Sequence, residues 1–321
     1  MRKNKLGSIL IYFFVLALVV IPASCQNVEL QLGFILDGSS SIIPSDWNLM
    51  ITGLANVVNS GTFPKDGSVE LTVVQIGVNS GAQVEVGPEV VTASSAPGIA
   101  SKISTLKQGK EDTPLACGFL CLADAMFLSA NFRSDKKQII NIITDGAPTA
   151  CCDVIGTYVE NLCAGLCPPK TSTVNARNFA VSKLGMTMDK DLITCEFVGN
   201  SLPLRNWLRD EIVWPQQGTI APPYIINHGW VRVISSFKEL EEAINEKIKA
   251  IVSPIKSKKA TSNQINQNIN QNTLGINGIG GLRTGSLWLS QNGVNIANVN
   301  GSNNEISQNI NQNALGTARL R

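Results

Sequence analysis

Histidine is almost absent from the sequence, and this scarcity removes most hydrolytic chemistry. The only histidine is His228. A serine or cysteine nucleophile normally needs a histidine as its base. The sequence also lacks a Gly-x-Ser-x-Gly nucleophile turn, a Gly-x-x-x-x-Gly-Lys-Ser/Thr phosphate loop and a dinucleotide-binding glycine pattern. We therefore expect a binding protein and not an enzyme.

A strong excess of charge of one sign is also missing. The 26 Lys and Arg residues nearly balance the 24 Asp and Glu residues, for a net charge of +2. Such a balance gives no reason to expect a nucleic acid or another charged polymer as partner.

The amino terminus has the pattern of an export signal. Arg2, Lys3 and Lys5 precede an apolar run from Ile9 to Ile21, and small residues lead to Cys25. This is typical of a signal peptide, and an uncleaved membrane anchor is the alternative reading of the run. Cys25 also resembles an acylated bacterial lipoprotein cysteine, although Pro22 departs from that pattern. We assign residues 1–25 to a signal peptide or N-terminal anchor and predict a secreted or cell-surface protein.

Eight cysteines are present, and outside the cytoplasm they favour disulfides. Cys25 and Cys195 are set apart, the latter as a buried free thiol within a strand. Six cysteines then remain, and their spacing does not determine how they pair. They are Cys117, Cys121, Cys151, Cys152, Cys163 and Cys167. A structural zinc site is the alternative to disulfides.

Strand and helix patterns alternate through the middle of the chain. The predicted strands are Val28–Leu36, Val69–Val78, Gln83–Val86, Gln138–Thr144, Leu192–Val198 and Trp230–Ile234. The predicted helices are Trp47–Val58 with Ser45 as N-cap, Ile99–Leu106, Pro114–Leu128, Val174–Leu184 and Phe237–Ile251. This order predicts a doubly wound, mostly parallel six-stranded α/β sheet with helices on both faces, in which ligands bind beyond the carboxyl ends of the strands.

The composition changes abruptly near the carboxyl end. From Thr261 onward the chain is rich in Asn, Gln, Gly and Ile, and residues 267–275 nearly recur as residues 308–316. Such a tail is either disordered or a weakly ordered β module with Asn and Gln ladders. We assign residues 256–321 to this tail and residues 26–255 to the globular domain.

Three short polar segments fall at the predicted carboxyl edge of the sheet: Asp37-Gly38-Ser39-Ser40-Ser41, Thr113, and Asp145-Gly146. Each taken alone is ordinary turn or capping chemistry. Together and in this order they resemble the von Willebrand factor A family, whose metal-ion-dependent adhesion site combines Asp-x-Ser-x-Ser with a distant threonine and a later aspartate. The segment Phe34 to Pro44 is similar to the inserted A domains of integrins, and the resemblance covers about residues 27 to 254.

The resemblance implies a divalent cation bound by Asp37, Ser39, Ser41, Thr113 and Asp145. Hydroxyl and carboxylate oxygens are the hard ligands that Mg²⁺ requires. We therefore expect Mg²⁺, with Mn²⁺ or Ca²⁺ as alternatives. With few carboxylates bonded directly, the ion stays electrophilic, and an open position would accept Asp or Glu from a partner protein.

Two neighbouring features bear on that site. The family often has glycine before the threonine, whereas Glu111 and Asp112 stand there, either in a solvated loop or close enough to assist or fill the site. The cysteine-rich loop follows Asp145, so we predict disulfides from Cys117 and Cys121 to this loop, at the rim of the binding face.

The sequence thus predicts an extracellular adhesion or protein-binding module that acts through a cation. The alternative is a structural, matrix or fibre-forming surface protein whose tail self-associates while the A domain serves as carrier.

Overall fold

The computed structural model describes residues 28–78, 81–152, 168–216, 218–225 and 227–251. The predicted leader, residues 153–167 of the cysteine-rich loop and the Asn/Gln-rich tail lie outside these residues. The chain divides into two units, Met1–Lys247 and Ile248–Arg321, and the description below concerns the first.

The strands form one sheet in the order β3-β2-β1-β4-β5-β7-β6. They are β1 (Leu30–Asp37), β2 (Asp66–Val78), β3 (Gly81–Thr92), β4 (Lys137–Thr144), β5 (Leu192–Val198), β6 (Thr219–Ala221) and β7 (Trp230–Ile234). All neighbours pair in parallel except β2 and β3. The predicted α/β sheet is confirmed with one strand more than expected, because β6 has only three residues before Pro222 and shows no periodicity.

Helices connect most of these strands. They are α1 (Pro44–Asn59), α2 (Ala96–Ser104), α3 (Leu115–Phe127), α4 (Pro169–Lys183), α5 (Leu202–Trp207) with a π-helical turn at Leu208–Ile212, and α6 (240–251) after a 3₁₀ turn at Phe237–Glu239. Ser45 does not cap α1 as predicted, because Pro44 already occupies the first turn and Ile43 is the N-cap residue. Proline suits that place, since its missing N–H would have no helical partner there.

Side chains from both faces of the sheet are buried. Ile35 and Ile140 belong to the apolar core that includes α3 and α4. Neighbours along a strand point to opposite faces, and Phe34 and Leu36 are also 0% exposed. Both faces are therefore covered, as in a doubly wound α/β domain.

Helix α3 packs very closely on β1 and β2. A Cβ atom on Gly118 would lie 2.8 Å from a methyl group of Ile35 and 2.7 Å from one of Ile76, so only glycine fits there without a shift. This close approach places Thr113, just before the helix, near the carboxyl end of β1.

Among the described residues, no helix is both long and apolar enough to cross a membrane.

Candidate metal centre

Asp37 ends β1 and is held by two hydrogen bonds. Its Oδ1 accepts from the backbone N–H of Ser39 at 3.1 Å, and its Oδ2 accepts from the hydroxyl of Thr144 at 2.6 Å. The side chain of Asp37 is fully buried and Ser39 is 2% exposed. This carboxylate forms the floor of the candidate site.

A chain of hydroxyl contacts joins the β1 loop to the β4 loop. Ser39 Oγ and Ser41 Oγ lie 3.0 Å apart, and Ser41 Oγ donates to Asp145 Oδ1 at 2.9 Å. The two loops meet because β1 and β4 are neighbouring parallel strands. Burial decreases from Asp37 and Ser39 to exposed Ser41 and half-buried Asp145, so the site opens to solvent on one side.

Thr113 is attached to both loops through its neighbours. The N–H of Ser40 donates to the carbonyl of Glu111 at 2.9 Å, and the N–H of Lys110 donates to the carbonyl of Gly38 at 2.8 Å. Thr113 itself is 4% exposed. Its N–H donates to the hydroxyl of Thr149 at 2.9 Å, and Thr149 lies four residues beyond Asp145. The structure thus joins Asp37, Ser39, Ser41 and Asp145 through direct hydrogen bonds, and Thr113 through backbone contacts.

The two carboxylate side chains that precede Thr113 are not buried. Glu111 and Asp112 are both exposed, and an oxygen of Asp112 lies 3.5 Å from the hydroxyl of Thr149. These positions agree with the solvated-loop alternative.

The electrostatics of the site are unbalanced. Burial raises the pKa of Asp37, partly offset by hydrogen bonds from Ser39 and Thr144. Burial also raises the pKa of Asp145, again partly offset by a hydrogen bond from Ser41. Among the described residues, no Lys or Arg side chain forms an ion pair with either carboxylate. Two negative groups therefore share a partly buried site, without a positive partner among the residues that the structure describes.

The donor set is composed of oxygen atoms. In the part of the chain that the structure describes, no group of three or more His, Cys, Asp or Glu side chains is placed to hold a metal. The candidate site instead combines two carboxylates with the hydroxyls of Ser39, Ser41 and Thr113. Such a set fits a hard cation of the Mg²⁺ type better than a soft thiolate-binding metal.

Three side chains that position this site are not marked by the sequence pattern. Thr144 holds Asp37, Thr149 holds the backbone of Thr113, and Gln108 Nε2 donates to the carbonyls of Ser39 at 3.0 Å and Ile42 at 2.6 Å. Thr144 reads as the last β-branched residue of a strand, and Gln108 and Thr149 fall in loops. Only the adjacency of Thr144 to Asp145 could have signalled its role.

A disulfide connects the two segments that flank the site. Cys117 on α3 is bonded to Cys152 in the loop after Asp145, with their Cα atoms 5.2 Å apart. This confirms the predicted pairing between helix and loop. Cys151 is disulfide-bonded as well, whereas Cys163 and Cys167 lie outside the described residues.

The expectation that Cys121 would also be paired is wrong. Cys121 is a free thiol, because Cys117 one helical turn away already holds Cys152. Its partial burial raises the pKa of the thiol to about 11. Cys195 is a buried free thiol, as its place inside a strand predicts.

Several solved structures are similar to this chain. They include the pilus adhesin SpaC from Lactobacillus rhamnosus GG, at 14% identity and a TM-score of 0.49, over 70% of this chain and 31% of that one. Proximal thread matrix protein 1 from the mussel byssus matches at 16% identity and a TM-score of 0.48, over 70% of this chain and 48% of that one. A form of the mussel protein with a zinc-occupied MIDAS motif matches at 16% identity and a TM-score of 0.46, over 70% and 46%.

The chain thus spans about a third of the adhesin and about half of the mussel protein. No curated protein matches its sequence. Residues 31–161, which contain Asp37, Ser39, Ser41, Thr113 and Asp145, match the model of the von Willebrand factor type A domain.

Proposed function

We propose that the chain binds a divalent cation, with Mg²⁺ expected, through Asp37, Ser39, Ser41, Thr113 and Asp145. The observation that carries this proposal is the pair of carboxylates, Asp37 and Asp145, connected through the Ser39 N–H and the Ser39 and Ser41 hydroxyls. Within the described ranges, neither carboxylate has an ion-pair partner. A bound cation would supply the missing positive charge. Its affinity would also offset the desolvation that raises the pKa of both groups.

We further propose that the cation binds a carboxylate of a partner protein. Ser41 is exposed and Asp145 is half-buried, so a ligand can approach the cation from that side. Asp37 and Asp145 together balance the charge of a divalent cation, but with few carboxylates bonded directly the cation would stay electrophilic and could accept a carboxylate oxygen from the partner. The chain would then act as an extracellular adhesion or protein-binding module, with residues 26–255 as its binding domain.

Calorimetry on the full chain tests the first step. Titration with Mg²⁺ or Mn²⁺ should show saturable binding in the wild type and none in Asp145→Ala. The matched control is Asp124→Ala, which removes an exposed carboxylate from α3 and should bind as the wild type does. Equal binding by wild type and Asp145→Ala would mean that the cation binds elsewhere, and it would contradict the proposal.

Glutarate tests the second step. With Mn²⁺ bound, glutarate should displace a metal-bound water and lower the paramagnetic relaxation of solvent protons, whereas uncharged glutaramide should not. Cation binding without any response to glutarate would separate the two steps, because the metal would then be structural.

The near-repeat of residues 267–275 at 308–316 supports a second function, as a matrix protein that self-associates through its tail. Deletion of residues 261–321 discriminates between the two. Cation-dependent binding should survive the deletion if the A domain is the functional part, and self-association measured by light scattering should disappear if the tail drives assembly.

A further inference from the structure

An exposed apolar cluster lies at the end of the domain opposite to the metal centre. Leu128 is 79% exposed and Phe127 is 43% exposed. Phe132 is half-buried and its ring centroid lies 5.0 Å from that of Phe127. We refer to Phe127, Leu128 and Phe132 as the apolar cluster.

Buried hydrogen bonds hold this cluster in place. Glu70 is 2% exposed, and its Oε1 accepts from the hydroxyl of Ser129 at 2.8 Å and from Asn131 Nδ2 at 2.7 Å. The N–H of Leu128 also donates to the carbonyl of Asp124 at 3.0 Å. Leu128 is therefore presented to solvent by an ordered loop, and a contact through it would need little further ordering.

The chain enters the domain beside this cluster. Gln31, the second residue of β1, donates to Glu70 Oε2 at 2.6 Å and to the carbonyl of Met126 at 3.4 Å. One residue before β1, Glu29 accepts from Lys136 Nζ at 2.9 Å. The amino end of β1 and the apolar cluster thus share one end of the sheet. Asp37 lies at the other end of β1, roughly 23 Å away at the usual rise of a strand.

Chain length limits how far this end can lie from the apolar run Ile9 to Ile21. From Ile21 to Val28 the chain can span at most about 25 Å when fully extended. If the run sits in a bilayer, or if Cys25 is acylated, the amino end of the sheet must lie near the lipid surface.

We propose that the apolar cluster rests on the surface of a lipid bilayer to which the N-terminal segment holds the chain. This proposal depends on the anchor alternative for residues 1–25, or on acylation of Cys25, and not on the metal centre. In this orientation the carboxyl edge of the sheet, with Asp37 and Asp145, faces away from the bilayer. Charges of both signs surround the cluster, including exposed Arg133 and Asp135. The contact therefore depends on apolar burial and not on anionic lipid.

Photocrosslinking from two positions tests this orientation. A benzophenone amino acid replaces either Leu128 or Ile43 in the full chain, which is then reconstituted with phosphatidylcholine vesicles and irradiated. Ile43 is the matched control, because it is an apolar residue 56% exposed beside the metal centre. Mass spectrometry should find lipid adducts from position 128 at least tenfold above those from position 43, with the same ratio at low and high salt.

Three results would overturn the proposal. Equal lipid adducts from both positions would mean that the domain has no preferred orientation. Absence of lipid adducts at position 128 would mean that the cluster does not meet the bilayer, whether or not the chain is anchored. Adducts at position 128 to a second copy of the chain would identify the cluster as a protein interface.

Discussion

Two buried carboxylates, in strands β1 and β5 on either side of β4, have opposite surroundings. Glu196 in β5 is 0% exposed and pairs with Lys247 of α6, which is also 0% exposed. Its other oxygen accepts from Asn141 Nδ2 at 2.6 Å. Asp37 in β1 is equally buried, but its partners are the neutral donors Ser39 and Thr144.

The difference is between a carboxylate whose charge is balanced within the fold and one whose only described partners are neutral. A buried carboxylate that is paired with a lysine and further hydrogen-bonded has its charge balanced within the fold. Asp37 has hydrogen bonds but no ion-pair partner in the described part of the chain, and burial raises its pKa. Unbalanced buried charge is found where a protein receives a ligand, so the contrast supports a cation at Asp37 and none at Glu196.

The largest effect is expected when the balanced site is broken. Lys247→Met should destabilise the domain by about 3–5 kcal/mol, because it leaves Glu196 buried and without its cation. Urea unfolding followed by circular dichroism measures this loss.

Two further variants make that result specific. Lys183→Met removes a lysine whose pair with Asp124 is partly exposed, and should cost less than about 1 kcal/mol. Adding Glu196→Gln to Lys247→Met should recover most of the stability, since the glutamine oxygen can still accept from Asn141. If the double variant were as unstable as Lys247→Met, packing and not charge would explain the loss.

At the edge of the sheet that carries Asp37 and Asp145, a disulfide bond joins the flanking segments. Replacing both Cys117 and Cys152 by alanine should destabilise the domain by about 2–4 kcal/mol, because the bond closes a long loop in the unfolded chain. Thermal unfolding of the oxidised protein measures the change.

Cys121→Ala is the matched control for the disulfide. It removes a half-buried thiol from the same helix without breaking a bond. A double variant no less stable than Cys121→Ala would show that the disulfide does not stabilise the fold.

The sequence predicts the sheet well where apolar runs are long. The strands Lys137–Thr144 and Leu192–Val198 are rich in Ile and other residues that favour strands, and their order with the helices indicates the parallel arrangement. The three-residue strand β6 escapes prediction, because it is too short for a periodic signal.

The sequence predicts the candidate site through its order of oxygen-bearing residues, each placed after a strand or before a helix. It does not reveal what holds them. Thr144 has the β-branched character of any strand residue, yet it is fully buried and donates to Asp37. Lys247 lies in a predicted amphipathic helix, where lysine ordinarily faces solvent, but it is 0% exposed. Only the three-dimensional packing shows that Glu196, a charge within an apolar strand, needs it.

A smaller effect, of opposite sign, is expected at the unbalanced carboxylate. Asp37→Asn should stabilise the cation-free protein, because it removes a buried charge whose pKa is raised. The amide oxygen can accept from the Ser39 N–H. The amide nitrogen can donate to Thr144 if that hydroxyl turns to the carbonyl of Gly146, 3.2 Å away. Thermal unfolding in EDTA measures the gain, with exposed Asp124→Asn as the control that should change little.

The pH dependence of the folding stability tests the same buried charge of Asp37. Because the pKa of Asp37 is higher in the folded chain than its ordinary value of 3.8, the folded state takes up a proton first. The cation-free protein should therefore lose stability as the pH rises from 3.8 through the raised pKa of Asp37, and it should remain less stable at higher pH. Mg²⁺ should restore that stability at neutral pH and progressively less as the pH falls, since protons and cation compete for Asp37. In Asp37→Asn the contribution of Asp37 to both dependences should vanish, while that of Asp145, whose pKa is also raised, should remain. A variant that gained as much stability from Mg²⁺ as the wild type would mean that Asp37 is not part of the cation site.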